Sequence, residues 1–314
     1  MEYNIFRLTF NSGVHIGEGS LEDHSIRLRA DTVFSALCIE ALKTGGEALL
    51  ETLLAYTRGG DLLFSDAFPF VDEEYFTPKP VISIKPMDDP VDSGAKKVFK
   101  KLKYIPLDMV DDYVMGEFDV KTAKYIADRI SEKLGKSFVF TKAAVRIQED
   151  TLPYHVGVFN FPDKSGLYLI TRTSNEALPL LRKLMASLSY AGIGGKRSSG
   201  LGRFSVEEQP LPEDIVEKLD SEYPSYMTLS VSLPDDGELG EALEGATYSL
   251  VRRSGFVFSE TYAEEPLRKK DFYVFDSGSV VRRRYSGGVY DVSNKGTHPV
   301  YRYAKPMFLG VRDE

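Results

Sequence analysis

The densest chemistry in the sequence lies in fourteen residues, Ala191-Gly192-Ile193-Gly194-Gly195-Lys196-Arg197-Ser198-Ser199-Gly200-Leu201-Gly202-Arg203-Phe204. Five glycines fall between 192 and 202, with two adjacent cations and two adjacent hydroxyls among them. Glycine has no Cβ, so it reaches positive φ cheaply and lets a ligand approach the backbone closely. Successive exposed N–H groups in such a loop form a concave anion site. Lys196 adds a point charge, and Arg197 adds a planar fork that fits phosphate oxygens. Residue types and spacing together predict a phosphate cradle made of Gly192, Gly194, Gly195, Lys196, Arg197, Ser198, Ser199 and Gly200.

The stretch fits neither of the two common cradles. A P-loop needs Gly-Lys followed by Ser or Thr, and here Arg197 follows Lys196. A dinucleotide fingerprint needs a strand before it and a helix after it. The order here is reversed. Leu180, Leu181, Leu184, Met185 and Leu188 recur at helical spacing ahead of the loop, and Leu201 to Val206 reads as a strand behind it. A helix cap and turn explains one or two glycines. It does not explain five with Lys-Arg-Ser-Ser between them.

The elements that must position this loop follow from periodicity. Glu2 to Phe10 reads as a strand apolar on both sides, which suits a central position. A second glycine-punctuated loop, Asn11 to Gly19, contains His15. Asp31 is the expected N-cap of a helix whose face carries Val33, Phe34, Leu37 and Leu42, with Gly45-Gly46 ending it. Glu47 to Tyr56 reads as a second helix and Asp61 to Ser65 as a strand. Tyr75 to Pro106 is proline-rich and reads as irregular. Within it, Lys96 to Pro106 is a basic-aromatic run, either an RNA-following surface or a solvated helix face with Phe99 and Leu102 buried. Helical insertions are expected over Asp108–Gly116 and Lys121–Leu134. Strands follow over Tyr154–Phe161 and Leu167–Thr171, then a helix from Asn175 to Tyr190.

Composition bounds the class. The chain has 314 residues, room for one large or two ordinary domains. No apolar run is long enough for a membrane span, and Met1-Glu2-Tyr3-Asn4 reads as the start of a strand, not of a signal peptide. A lone Cys38 in an apolar helix pattern excludes a disulfide framework and reads as buried filler, so a cytoplasmic protein is expected. The net charge of −8 argues against nucleic acid only on average. Residues 207–244 hold twelve acids and one lysine, whereas residues 191–204 hold three cations and no acid. Residues 245–314 hold twelve Lys/Arg against eight Asp/Glu.

The loop Gly192 to Gly202 resembles the glycine-rich loop of the RAMP superfamily of CRISPR-associated proteins. In that family the loop closes a ferredoxin-like domain and contacts CRISPR RNA (crRNA). Ser12-Gly13-Val14-His15-Ile16-Gly17 resembles the family's N-terminal motif, and Phe138 to Ile147 its thumb hairpin. The segments Asp271–Ser279, Gly287–Val292 and His298–Pro306 resemble the C-terminal signature of the Csm-type subunit-four family of type III-A effectors. Members often have glycine where Ala304 stands, and residues 70–135 carry little motif.

The resemblance implies an α+β protein of tandem ferredoxin-like (RRM-like) domains. The first spans residues 1–209, with a large insertion and the glycine-rich loop, and the reduced second spans residues 222–314. It implies a non-catalytic subunit that holds the crRNA 5′ handle in antiviral defence. The implied partners are the large polymerase-like subunit and the backbone RAMP subunit of the filament, with no cofactor, metal or membrane. RNA contacts are then expected from His15, Gly17, Lys142, Arg146 and the loop residues above. The pair Arg252-Arg253 and the triplet Arg282-Arg283-Arg284 are expected to serve RNA or an acidic partner, or equally to be a solvated edge strand. The main alternative is a RAMP-type endoribonuclease with His15 as general base, which needs a partner acid or cation. A nucleotide-binding enzyme is a third, disfavoured by the absent Gly-Lys-Ser/Thr.

Overall fold

The computed structural model describes residues 1–82, 93–144, 152–259 and 261–312. Strand β1 (Glu2–Phe10) leads through two short paired strands, β2 (Ile16–Gly17) and β3 (His24–Ser25), into helix α1 (Ala30–Gly59). Then come β4 (Leu62–Phe64), β5 (Phe68–Val71), β6 (Glu74–Pro78), α2 (Ser93–Lys101), β7 (Tyr104–Pro106), α3 (Val110–Val114) and α4 (Val120–Lys133). The long hairpin strands β8 (Lys136–Ala144) and β9 (Leu152–Asn160) precede β10 (Ser165–Thr173), α5 (Ala177–Ala191) and β11 (Phe204–Pro210).

The apolar run of β1 does occupy the middle of a sheet. Its neighbours are β10 and β11, both antiparallel, in a strand order β11-β1-β10-β5-β6-β7 with β4 paired to the far end of β10. The two-residue strand period turns Phe6, Leu8 and Phe10 to one face and Ile5 to the other. Phe6, Leu8 and Phe10 meet Val33, Phe34 and Leu37 of α1 and Leu181, Leu184 and Leu188 of α5. On the opposite face Ile5, Tyr168 and Ile170 share a core with the inserted helices α3 and α4.

The expected break at Gly45-Gly46 is a bend within α1, where Gly46 takes φ 66° and ψ −160°. Two expectations for this helix fail. Asp31 is not the N-cap; it lies buried in the first turn, and the Ala30 amide donates instead to Asp66 Oδ1 at 2.8 Å. Leu42 is exposed, and Ala41 takes its place in the core. The segment expected to be irregular pairs as β6 with β7, extending the sheet. The basic run forms α2, with Lys96, Lys97, Lys100 and Lys101 exposed, Phe99 half-buried and Leu102 buried behind them.

The second half contains α6 (Glu213–Asp220), β12 (Ser225–Thr228), α7 (Leu239–Leu243), β13 (Leu250–Arg253), β14 (Phe272–Phe275), β15 (Val280–Val281), β16 (Gly288–Asp291), β17 (Tyr301–Ala304) and β18 (Phe308–Val311). They form three small antiparallel sheets, β15-β12-β18, β13-β14 and β16-β17. Pro306, with no N–H to give a ladder, falls between β17 and β18. Among the described residues no helix is long and apolar enough to cross a membrane.

The halves share both main cores. Val231, Val274 and Tyr303 join the cluster under α1 and α5, and Met227, Leu229 and Leu309 join the cluster on the other face. Buried polar groups fix the junction. Arg253 forks onto Asp31, with Nε to Oδ2 and Nη2 to Oδ1 both at 2.9 Å, and Arg302 Nη1 reaches Asp31 Oδ2 at 2.6 Å. Asp66 Oδ1 accepts from the amides of Ala30 and Val231 at 2.8 and 3.0 Å. Arg29 Nε donates to Asp276 Oδ1 at 3.1 Å.

These two buried carboxyls titrate in opposite directions. Burial pushes the Asp31 pKa up, but Arg253 and Arg302 outweigh it and bring it from 3.8 down to about 2. At Asp66 burial outweighs the amide hydrogen bonds and the charge of Arg29, raising it from 3.8 to about 6. A raised carboxyl binds its proton more tightly in the folded state, so stability rises as pH falls from about 6 to 3.8. A depressed carboxyl contributes stability that is complete above 3.8 and is lost as pH falls through about 2. We expect Asp66→Asn to remove about 2–3 kcal/mol of the gain between pH 7 and pH 4, at about 1.4 kcal/mol per pKa unit. Urea unfolding of both proteins at each pH checks this. An unchanged gain would mean that Asp66 titrates as an ordinary carboxylate.

Candidate nucleic-acid interface

Helix α5 ends where Gly192, at φ 79°, donates its amide to Leu188 O at 2.8 Å. The chain then doubles back: Ile193 N bonds Gly202 O at 2.9 Å, and Gly202 N bonds Gly13 O at 2.9 Å. Gly195 N bonds His15 O at 2.7 Å, and Arg197–Ser199 forms a tight turn capped by Gly200 N to Arg197 O at 2.9 Å. The open row of amides expected from the sequence is taken up in part: those of Gly192, Gly195, Ser199 and Gly200 bond to backbone, whereas among the described residues those of Gly194, Lys196, Arg197 and Ser198 have no backbone acceptor. A backbone packed against two other segments must satisfy its own N–H groups. Side chains add to the capacity for anions: Lys196 and Arg197, partly exposed, and the exposed hydroxyls of Ser198 and Ser199. Lys196 holds a left-handed φ of 59°, an uncommon state for a residue with a Cβ. Burial pushes up the carboxyl of Glu40 on α1, but hydrogen bonds from Lys43 and Ser187 and the nearby charge of Arg197 hold it below its usual range.

His15 is buried at 5% exposure and pins the loop. It forms an antiparallel bridge with Gly195, and its Nδ1 lies 2.7 Å from Gly157 O on β9. A carbonyl only accepts, so Nδ1 carries the proton. The ring fills a slot closed by glycines. A Cβ on Gly195 would come within 2.6 Å of His15 Cδ2, and one on Gly17 within 3.1 Å of Nε2. Among the described residues no carboxylate bonds to the ring. The geometry gives His15 and Gly17 a positioning role, tying the N-terminal loop to the hairpin and to the glycine-rich loop.

The hairpin adds the next elements. Lys142 on β8 stands directly opposite Tyr154 on β9, close enough for side-chain contact. Lys196 Nζ lies over the Tyr154 ring, 4.8 Å from its centroid. Arg146 lies outside the described residues. The guanidinium of Arg197 lies over the ring of Phe258 at 4.9 Å, and that of Arg268 over Phe256 at 5.4 Å. Tyr154, Phe256, Phe258 and Arg268 were missed from sequence. The available signal was the alternation Phe256-Val257-Phe258 close to Arg268-Lys269-Lys270.

The other basic clusters have partners of their own. Arg253 is committed to Asp31 and also reaches Thr32 Oγ1 at 3.1 Å, so it is a core ion pair and not a free RNA contact. Its neighbour Arg252 is exposed, 3.7 Å from Asp271. Arg282 donates to Ser225 Oγ at 2.8 Å, Arg283 pairs with Glu241 at 3.0 Å, and Arg284 donates to Ser221 O at 2.7 Å. This triplet holds the acidic segment in place.

A family model described as the CRISPR Csm4 C-terminal domain matches residues 221–311. Curated proteins named CRISPR system Cms protein Csm4 match nearly end to end. One from Mycobacterium tuberculosis (strain ATCC 25618 / H37Rv) is 42% identical over 99% of this chain and 98% of the relative. One from Streptococcus thermophilus is 34% identical over 98% of this chain and 99% of the relative. Among solved structures, the fold is similar to a chain of the Csm3–Csm4 subcomplex in the type III-A CRISPR-Cas interference complex. The TM-score is 0.64 at 19% identity, over 98% of this chain and 99% of that one. It is also similar to a chain of the Csm1–Csm4 cassette in complex with AMPPNP, with TM-score 0.61 at 18% identity over 99% and 98% of the two chains.

The differing fates of two adjacent arginines are testable. Arg253→Ala leaves a buried carboxylate without its fork and is expected to cost on the order of 3 kcal/mol. Arg252→Ala is expected to stay within about 0.5 kcal/mol of wild type. Chemical denaturation of the two variants measures both; equal losses would mean that Arg253 does not anchor the junction.

Proposed function

The chain belongs to the Csm4 family of CRISPR proteins, and on that premise we propose that it is a non-catalytic, RNA-holding subunit of a type III-A effector complex. It holds the 5′ handle of crRNA as a single strand, through phosphate contacts from Lys142, Lys196 and Arg197 and hydroxyl contacts from Ser198 and Ser199. The observation that carries this reading is the convergence of three segments. The glycine-rich loop, the hairpin and the Phe256–Phe258 segment each bring a cation or an aromatic ring to one surface. Single-stranded RNA is recognised by that combination of charge and flat apolar faces. Phosphate contacts of this kind set register and affinity without reading sequence.

The remaining surface fits protein docking. The acidic stretch 207–244 repels a polyanion and keeps RNA binding local. Solved relatives pair Csm4 with Csm1 in one crystal and with Csm3 in another, which supports docking to the large subunit and to a backbone subunit. In this reading residues 1–209 form a ferredoxin-like domain, supported by the neighbour order β11-β1-β10-β4 around two helices on one face. Residues 222–314 form the reduced second domain. His15 aligns the loop and does not take a proton from a 2′-hydroxyl.

Fluorescence anisotropy with a labelled RNA carrying the handle tests this, using the chain alone and with the large subunit. The Lys196→Ala/Arg197→Ala double variant is expected to weaken binding and to lower the salt slope by about two. No cleavage product is expected without or with metal. His15→Asn keeps a donor toward Gly157 O but offers no base of comparable strength. RNA cleavage in wild type that vanishes in His15→Asn would replace the scaffold reading with an endoribonuclease.

A further inference from the structure

Phe256 and Phe258 are large, apolar and open to solvent, at 59% and 68% exposure. The backbone around them is extended. Phe256 bridges Arg268 antiparallel, Val257 N donates to Leu267 O at 2.9 Å, and Lys269 N donates to Gly255 O at 2.9 Å. Alternate side chains of extended backbone share a face about 7 Å apart. Val257 accordingly turns inward, against the small cluster of Tyr262, Val292 and Val300. The two phenylalanines turn outward side by side. Each carries a guanidinium over one face, Arg197 on Phe258 and Arg268 on Phe256.

Resting on the RNA-holding reading above, we propose that Phe256 and Phe258 are stacking residues for two unpaired bases of the bound RNA. In the complex, Arg197 and Arg268 turn from the rings to the phosphates beside those bases. Three physical facts carry this. An exposed cation–aromatic contact is worth only about 0.5–1 kcal/mol, so a charge-assisted bond to phosphate displaces it readily. The ring face released is then free for a base. Stacking tolerates any base, as suits a surface whose other contacts are to phosphate. A duplex would hide its base faces, so the ligand is single-stranded. Aromatic rings and arginine also occur in protein interfaces, but lysine is depleted there, so Lys196 over Tyr154 on the same surface favours a ligand that carries phosphate.

The test uses the full chain with its large subunit, and labelled ten-nucleotide RNA read by anisotropy over a salt series. Phe256→Ala and Phe258→Ala are each expected to weaken binding at least about five-fold. Their salt slopes should stay at the wild-type value, whereas Lys196→Ala should lower the slope by about one. Phe258→Tyr should bind like wild type, which separates stacking from a mere loss of fold. An RNA scanned with single abasic sites should contain one position where wild type and Phe258→Ala become indistinguishable. If wild type binds and both alanine variants match it, stacking is overturned while the RNA-holding reading stands. If wild type binds no RNA, both fall. If the variants bind RNA normally but lose the large subunit on gel filtration, the rings are a protein interface and the inference is overturned.

Discussion

One buried carboxylate carries much of the architecture. Asp31 sits at the start of α1, 4% exposed, and its charge is balanced by two arginines from the far half of the chain. An unpaired charge at that depth would cost several kcal/mol, so the buried start of α1 depends on β13 and β17. The dependence runs onward to the surface. The segment that gives Arg253 to Asp31 continues directly to Phe256 and Phe258, and so the core ion pair sets where those rings stand. Tyr303, beside Arg302, is fully buried against Phe34 and Phe64, and its hydroxyl accepts from Phe64 N at 3.0 Å. Polar and apolar contacts thus close the same seam.

The glycines of the loop serve shape more than chemistry. Gly195 lies so close to His15 that no side chain fits between them, and Gly194, at φ 90°, presses on the His15 carbonyl. Close approach is what lets three chain segments meet at one point. Two of the loop's amides, those of Gly195 and Gly202, make that junction by bonding His15 O and Gly13 O. What it presents outward is a pair of cations on a rigid base, each leaning on an aromatic ring from a different element. Rigid presentation lowers the ordering entropy of binding, which partly offsets the overall negative charge.

That charge, −8 over the chain, is unevenly distributed and the fold keeps it so. Arg283 and Arg284 are drawn toward the acidic segment, where Glu241 and Ser221 O hold them. Basic groups committed there do not add to the surface proposed to hold RNA. On the surface proposed to hold RNA the cations are few, so affinity for a polyanion there would depend on stacking as well as on charge.

Local pattern was enough for much of the fold. The Gly45-Gly46 pair marked the interruption of α1, and the strand at Glu2–Phe10 and α5 were legible because periodicity of two or near four is written into adjacent residues. So was the loop, since five glycines around Lys-Arg-Ser-Ser admit few other readings. Asp31 was misjudged because an acid before an apolar stripe looks like a cap, and nothing nearby reveals that Arg253 and Arg302 will claim it. Arg252 and Arg253 are alike in sequence; strand alternation sends one to solvent and the other to a buried partner. Phe258 meeting Arg197, and Tyr154 meeting Lys196, required the sheet, the hairpin and the second half to be in place first. The sequence by itself determined which elements form and where the cations lie along the chain. Only the tertiary structure decided which of those cations face solvent on aromatic rings and which neutralise the core. Burial and long-range pairing assign a charge its partner, and neither is a property of neighbours in sequence.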